Sequence, residues 1–130
     1  MDAGSEKQNR MCDPRGIGPV LQTNPTPVTA PPTTINASGN YYAGVMLSGG
    51  FKAISVGATL SQMGSIVVKR YIDSAGTVLL DTTTVALTAT TPGAVALNDS
   101  KAFAAFDVTV NNTGGSTGNL SAFAMLLAAG

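Results

Sequence analysis

The sequence predicts an all-β protein, a jelly-roll-like or related two-sheet β-sandwich with an extended N-terminal arm. About eight short segments of strand character recur at a spacing of about ten residues, which is typical of a sandwich or barrel. Turns rich in Gly, Ser, Asn and Pro separate these segments, and the N-terminal region has a different composition from the rest. We therefore divide the chain into an arm, Met1–Pro32, and a β-sandwich domain, Thr33–Gly130.

The arm combines a charged tip with a charge-free, proline-rich stretch. Six of the 14 charged residues lie in Met1–Arg15, and six of the seven prolines lie between Pro14 and Pro32. This composition buries too little apolar surface to fold alone, but prolines reduce the entropy that docking removes. We expect Gly16–Pro32 to dock on a neighbouring subunit, the alternative being a disordered tail. The expected anchors are its apolar residues Ile17, Val20, Leu21 and Val28.

The first predicted strands are bounded by clear turn signals. Thr33–Ala37 ends at Ser-Gly-Asn, and Tyr42–Leu47 ends at Ser-Gly-Gly. Phe51–Leu60 shows period-two alternation, in which every second residue from Ile54 onward is apolar. Gly57 within this strand predicts a β-bulge or a close backbone approach.

The later strands are predicted from the same two signals, alternation of apolar residues and turn residues at the strand ends. Gly64–Ile72 alternates and leads into the turn Asp73–Gly76, so Gly64–Leu80 is predicted to be a hairpin. In such a turn the Asp73 side chain is expected to cap its own backbone. The remaining predicted strands are Thr82–Leu87, Ala94–Leu97, Phe103–Val110 and Asn119–Leu127, with a flexible loop before the last of them.

The final predicted strand is apolar on both faces. One face carries Leu120, Ala122, Ala124 and Leu126, and the other carries Phe123, Met125 and Leu127. Such a strand lies in the middle of a sheet or at a subunit interface. We expect Phe123, Met125 and Leu127 to pack between sister subunits of a homodimer or homotrimer.

The composition argues against catalysis and against several classes of ligand. The chain has no His and a single cysteine, Cys12, so imidazole base chemistry and multi-cysteine metal sites are excluded. A net charge of zero argues against nucleic acid, and no apolar stretch is long enough to cross a membrane. The carboxylates are too dispersed for a calcium loop. We predict no enzyme activity, no cofactor and no metal.

Two pairs of residues remain as candidate contact sites. Lys69 and Arg70 are adjacent in a strand, so their side chains point to opposite faces and do not form a basic patch. Arg70 lies on the apolar face, where we expect an interface ion pair or a strand-end position. Tyr41-Tyr42 is interpreted as a core or interface pair, with a stacking platform as the alternative.

The stretch Gly50–Leu127 resembles a family of small virion proteins of tailed bacteriophages. The similar features are Val68–Asp73 (VKRYID) followed by Gly76, and a closing segment that runs from Phe103–Asn112 through Gly114-Gly115 to Leu120–Leu127. The resemblance implies a capsid decoration, or cement, protein that binds the major capsid protein as a symmetric oligomer and stabilises the shell. It further implies location on the capsid surface after synthesis in the host cytoplasm.

Another role remains open within the same resemblance. A head-fibre or tail component, including a receptor- or carbohydrate-binding module, is the alternative. Such a module predicts exposed aromatic residues in its loops, and neither Ser74–Gly76 nor Asn111–Gly118 contains one. The sequence therefore favours the decoration protein.

Overall fold

The computed structural model describes residues 21–129, which form ten β-strands and no helix. The strands are β1 Gln22–Thr23, β2 Thr34–Ile35, β3 Asn40–Tyr42, β4 Met46–Leu47, β5 Ala53–Leu60, β6 Gly64–Tyr71, β7 Leu79–Leu87, β8 Gly93–Leu97, β9 Ala105–Asn112 and β10 Gly118–Ala128. Periodicity and turn boundaries account for this all-β content, because β5 and β9 alternate apolar and polar or small residues over most of their length.

The strands form two antiparallel sheets that pack face to face. The first sheet has the order β1-β10-β5-β8, with β2 also paired to β10. The second sheet has the order β3-β9-β6-β7, with β4 also paired to β9. The chain changes sheet at most connections, as in the jelly roll. The structure confirms the predicted all-β, two-sheet sandwich.

The core lies between the sheets and is built from alternate residues of the long strands. Val56 of β5 and Val68 of β6, for example, are fully buried, while Ser55 and Lys69 beside them are exposed. The core also includes Ile54, Ala58, Leu60, Ile66, Leu87, Val95, Phe103, Phe106, Val108, Val110, Leu120, Met125 and Leu127. Burial of this apolar surface is the main source of stability.

The predicted strand Tyr42–Leu47 is divided into β3 and β4, which both pair with β9, by an irregular stretch around Gly44. Gly44 has a φ of +93°, a conformation that L side chains rarely adopt. A Cβ atom at this position would lie 2.6 Å from Val28 Cβ. Gly44 therefore makes the interruption in the strand possible and lets Val28 approach the backbone.

Substitution of Gly44 with alanine is expected to lower the free energy of unfolding by about 1–2 kcal/mol, from backbone strain and the Val28 clash. Gly50→Ala is the matched control, because Gly50 also has a positive φ, +86°, but open space around its Cβ position. Urea unfolding of both variants measures the difference. Equal decreases in the free energy of unfolding would show that the clash with Val28 does not contribute to the destabilisation by Gly44→Ala.

Three local expectations have different outcomes. The turn at Asp73–Gly76 is confirmed, and the Asp73 carboxylate accepts hydrogen bonds from the backbone N–H groups of Thr77 at 2.9 Å and Val78 at 2.8 Å. The expected bulge at Gly57 is wrong, because Gly57 lies in regular register between Ala124 and Ala94. The alternative, a close backbone approach, is also wrong, because a Cβ atom there would lie 3.7 Å from the Gly93 carbonyl oxygen, an ordinary contact. The register shift of β10 falls instead between Leu120 and Ala122.

Candidate interaction surfaces

The described part of the predicted arm runs along the protein's own sandwich. Gln22 and Thr23 pair with Ala128 and Leu127 of β10. The Asn24 side-chain amide donates to the Met125 carbonyl oxygen at 2.9 Å. These contacts tether the segment to the edge of the first sheet.

Prolines then carry the segment past this edge without extending the sheet. Pro25, Pro27 and Pro31 line a shallow groove together with Phe123 and Met125 of β10. Because proline has no backbone N–H, it cannot pair with the edge of β10. The stretch thus covers an otherwise open strand edge, which is one way in which proteins avoid edge-to-edge association.

Two of the four predicted arm anchors lie in the described residues, and both are exposed. Leu21 has 64% of its surface exposed and Val28 has 70%. Their chain segments are nevertheless held, since the Leu21 carbonyl oxygen accepts from Ala129 N at 3.0 Å and Thr29 N donates to the Ala43 carbonyl oxygen at 3.1 Å. Ile17 and Val20 lie outside the described residues. Leu21 and Val28 are therefore apolar side chains on a fixed backbone that face solvent.

The three residues expected to pack between sister subunits face the interior of the sandwich instead. Met125 is 5% exposed and Leu127 is 2% exposed. Phe123 is partly buried and packs edge-on against Tyr41, with ring centroids 5.3 Å apart. The expectation of an oligomer contact is corrected accordingly, because β10 turns this face towards the second sheet, where these side chains complete the core.

The opposite face of β10 belongs to a flat outer surface, here named the alanine face. Residues directly opposite on neighbouring strands share a face, and one such row is Ala124, Gly57 and Ala94. The alanine face consists of Ser55, Gly57, Thr59, Ala94, Ala96, Ala122, Ala124 and Leu126, all exposed or half-buried. It contains a shallow groove of about 660 Å³.

The alanine face carries no charge. None of the strands of the first sheet contains an Asp, Glu, Lys or Arg residue. Sheet surfaces that face only water usually carry polar or charged side chains, and edge strands in particular carry Lys. A neutral surface of small side chains is suited to close packing against another protein surface.

The outer face of the second sheet has a different character and centres on a buried carboxylate. Asp107 of β9 is only 4% exposed. Its Oδ2 atom accepts hydrogen bonds from the hydroxyl groups of Tyr71 of β6 and, at 3.3 Å, of Tyr42 of β3. Burial and the neighbouring Asp107 carboxylate raise the pKa of Tyr71, so both phenols stay protonated donors at neutral pH. We name these three residues the tyrosine–aspartate site.

Sequence reasoning did not single out the tyrosine–aspartate site. Tyr42 was considered only together with Tyr41, although the two side chains point to opposite sides of β3, Tyr41 into the core. The available signal was Asp107 itself, a lone acid on the polar side of a strongly alternating strand. Nothing local in the sequence connects Asp107 with Tyr71, because 36 positions separate them.

Of the two expectations for Arg70, the strand-end position is confirmed, because Arg70 is the penultimate residue of β6, and its ion pairs form within the chain. It is fully buried and donates to Asp81 Oδ1 at 2.9 Å and to Asp99 Oδ1 and Oδ2 at 2.9 and 2.7 Å. Its guanidinium lies 5.5 Å from the Phe103 ring centroid, and Lys101 Nζ approaches Asp81 at 3.5 Å. Hydrogen bonds from Arg70 lower the pKa values of both carboxyl groups. These charged residues form the Arg70 cluster, which ties β6, β7 and the β8–β9 connection together.

Two other kinds of site are absent from the part of the chain that the structure describes. Among residues 21–129 no three His, Cys, Asp or Glu side chains come together in a way that suits a metal ion. The same residues include no helix with the length and apolar character to cross a membrane. Comparisons with protein-family models, with curated proteins and with solved structures each find no match.

Proposed function

We propose that the protein is a non-enzymatic structural protein of a bacteriophage virion, which binds the outside of the capsid as a symmetric oligomer and stabilises the shell. The observation that carries the proposal is the alanine face, a neutral surface of small residues on one side of the sandwich. The resemblance of Gly50–Leu127 to small phage virion proteins supports the same class of function. The major capsid protein is the proposed partner.

The alanine face replaces Phe123, Met125 and Leu127 as the proposed contact between sister subunits. Two copies of an uncharged surface do not repel each other, which favours a two-fold interface, in which the same patch meets itself. Its Ala and Gly residues lose no side-chain entropy on packing. A modest contact of this kind suffices on a capsid, because many copies bound to one shell act through avidity.

The arm supplies a second proposed contact, with neighbouring subunits. Leu21 and Val28 point outward from a segment that is already hydrogen-bonded to the sandwich. An apolar side chain on a fixed backbone docks without the entropy loss of ordering the chain. These exposed side chains support docking of the arm on the next subunit.

Co-sedimentation with mature, DNA-filled capsids and with empty precursor shells tests the proposal. We expect saturable binding at a fixed ratio to the major capsid protein, with a preference for the expanded shell. Absence of binding to both shells would contradict the decoration function and would favour a fibre or tail location.

Ala124→Asp tests the alanine face in the same assay. The substitution places a charge at the centre of the face, and we expect it to dissociate the oligomer in sedimentation velocity and to weaken capsid binding at least about tenfold. Ala86→Asp, on an exposed position of β7 in the second sheet, is the matched control. An Ala124→Asp protein that remains oligomeric would exclude this face as the contact.

Leu21→Ser combined with Val28→Ser tests the arm. Both side chains are exposed, so the double variant is expected to keep the stability of the wild type. We expect weaker capsid binding with unchanged oligomeric state. Full capsid binding by this variant would contradict a contact through these two residues.

A further inference from the structure

The tyrosine–aspartate site contains a carboxylate whose hydrogen-bonding capacity is only partly used. Both tyrosine hydroxyls donate to Oδ2 of Asp107. Within residues 21–129, no donor reaches Oδ1, and the ion pairs all belong to the Arg70 cluster. Burial of a carboxylate without a cation costs free energy. A hydrogen bond to Oδ1 of Asp107 is therefore expected to contribute more binding free energy than one to an exposed carboxylate.

Lys69 is the nearest candidate for an internal partner of Asp107. It lies directly opposite Asp107 in the β6–β9 register, and the two therefore share the outer face of the sheet. Its side chain is exposed, and the described ion pairs do not include it. Among residues 21–129, Lys69 therefore does not pair with Asp107, and no side chain donates to the Oδ1 atom of Asp107.

Tyr42 is the half-exposed residue that lies between solvent and the Asp107 carboxylate. Its hydrogen bond to Asp107, at 3.3 Å, is long for an O–H donor, and 46% of the Tyr42 surface is exposed. An external donor would reach the carboxylate if Tyr42 rotated away from it, and Tyr71 would keep its hydrogen bond. A donor with two N–H groups would then contact both carboxylate oxygens.

Apolar residues border the site. Leu47, Ala105 and Tyr71 are paired across the second sheet, and Leu79 pairs with Tyr71 at a register shift between β6 and β7. Leu47 and Leu79, at the two ends of these pairings, are 62% and 52% exposed. Tyrosine and arginine are enriched at the energetic centres of protein interfaces, where surrounding contacts exclude water, and the exposed leucines beside Tyr71 could provide such contacts.

We propose that the tyrosine–aspartate site binds an arginine side chain presented by a partner protein. The planar guanidinium matches both carboxylate oxygens side-on, and it stacks on tyrosine rings, which an ammonium does less well. The negative charge of Asp107 fits a positive group, and Leu47 and Leu79 fit apolar surface around that group. The proposal concerns the opposite side of the sandwich from the alanine face and does not depend on the proposed function.

Tyrosine ring NMR of the full chain tests the proposal, because the chain contains only three tyrosines. N-acetyl-L-arginine methylamide is titrated into the ring-labelled protein, and its neutral citrulline counterpart is the matched control. We expect the arginine compound to shift the signals of Tyr42 and Tyr71 but not that of buried Tyr41. The citrulline compound should bind at least about tenfold more weakly, because its ureido group has the shape of a guanidinium but no positive charge.

Two variants separate binding from a purely structural role of the site. Asp107→Asn keeps an acceptor for Tyr71, and it should abolish the arginine-induced shifts while the ring signals remain those of a folded protein. Tyr42→Phe removes the competing hydroxyl and should strengthen binding of the arginine compound about two- to threefold. Equal shifts with citrulline, or shifts that persist in Asp107→Asn, would overturn the proposal. Shifts with methyl glucoside but not with the arginine compound would also overturn it and would indicate a carbohydrate site.

Discussion

Replacement of Arg70 with alanine is expected to lower the free energy of unfolding by about 3 kcal/mol. The substitution removes every cationic hydrogen bond to the paired carboxylates Asp81 and Asp99, and it removes the guanidinium from the face of Phe103. Breaking a buried ion pair costs more than the pair contributes, since an uncompensated charge remains. Asp99 is partly exposed, which places the loss at the lower end of the usual range.

Chemical denaturation of Arg70→Ala and Lys69→Ala measures this effect. Lys69 is the neighbouring cation in β6, but its side chain is exposed and points to the other face. We expect Lys69→Ala to change stability by no more than about 0.5 kcal/mol. Similar losses in the two variants would mean that burial of the ion cluster does not matter.

The same cluster predicts how stability depends on pH. Hydrogen bonds from Arg70 lower the pKa values of Asp81 and Asp99 in the folded protein below their unfolded values. Their contribution is therefore complete above about pH 4 and is lost as the pH falls through the folded pKa values. The wild type should lose more stability than Arg70→Ala between neutral pH and about pH 3. Parallel pH profiles would contradict this assignment.

Met125→Asp is expected to unfold the protein, whereas Ala124→Asp should leave it folded. Met125 is buried in the core, so an aspartate there buries an unpaired charge and loses apolar packing, with a destabilisation of at least about 4 kcal/mol. Ala124 is exposed on the alanine face, where a carboxylate is hydrated. The same substitution at adjacent positions thus reports which face of β10 is the core.

Circular dichroism and thermal unfolding of the two variants decide between the faces. A folded but monomeric Met125→Asp protein would restore the expectation from sequence that this side chain lies between subunits. Loss of structure in Met125→Asp, together with a folded Ala124→Asp protein, would place the core where the structure has it. The pair also ensures that loss of oligomers in Ala124→Asp is not mistaken for unfolding.

Most of the fold could be predicted because its signals are local. Alternation in β5, β6 and β9 identifies both the strands and their core faces, and the Asp73–Gly76 turn carries its own capping carboxylate. The division of Tyr42–Leu47 was less accessible, since the φ of Gly44 depends on the approach of Val28 from the arm. The candidate surfaces were hardest to predict, because each combines residues from several strands.

By itself, the sequence determined the all-β class, most of the strands and the capped turn at Asp73–Gly76, because these features depend on local signals. Only the tertiary structure decided which apolar face of β10 is buried, because a strand apolar on both sides fits a core with either face. Tertiary structure also decided the partners of Arg70, which lie 11 and 29 positions away, and brought Tyr71 to Asp107. Periodicity assigns a side chain to one side of its strand, but the neighbour across that side depends on strand order and register.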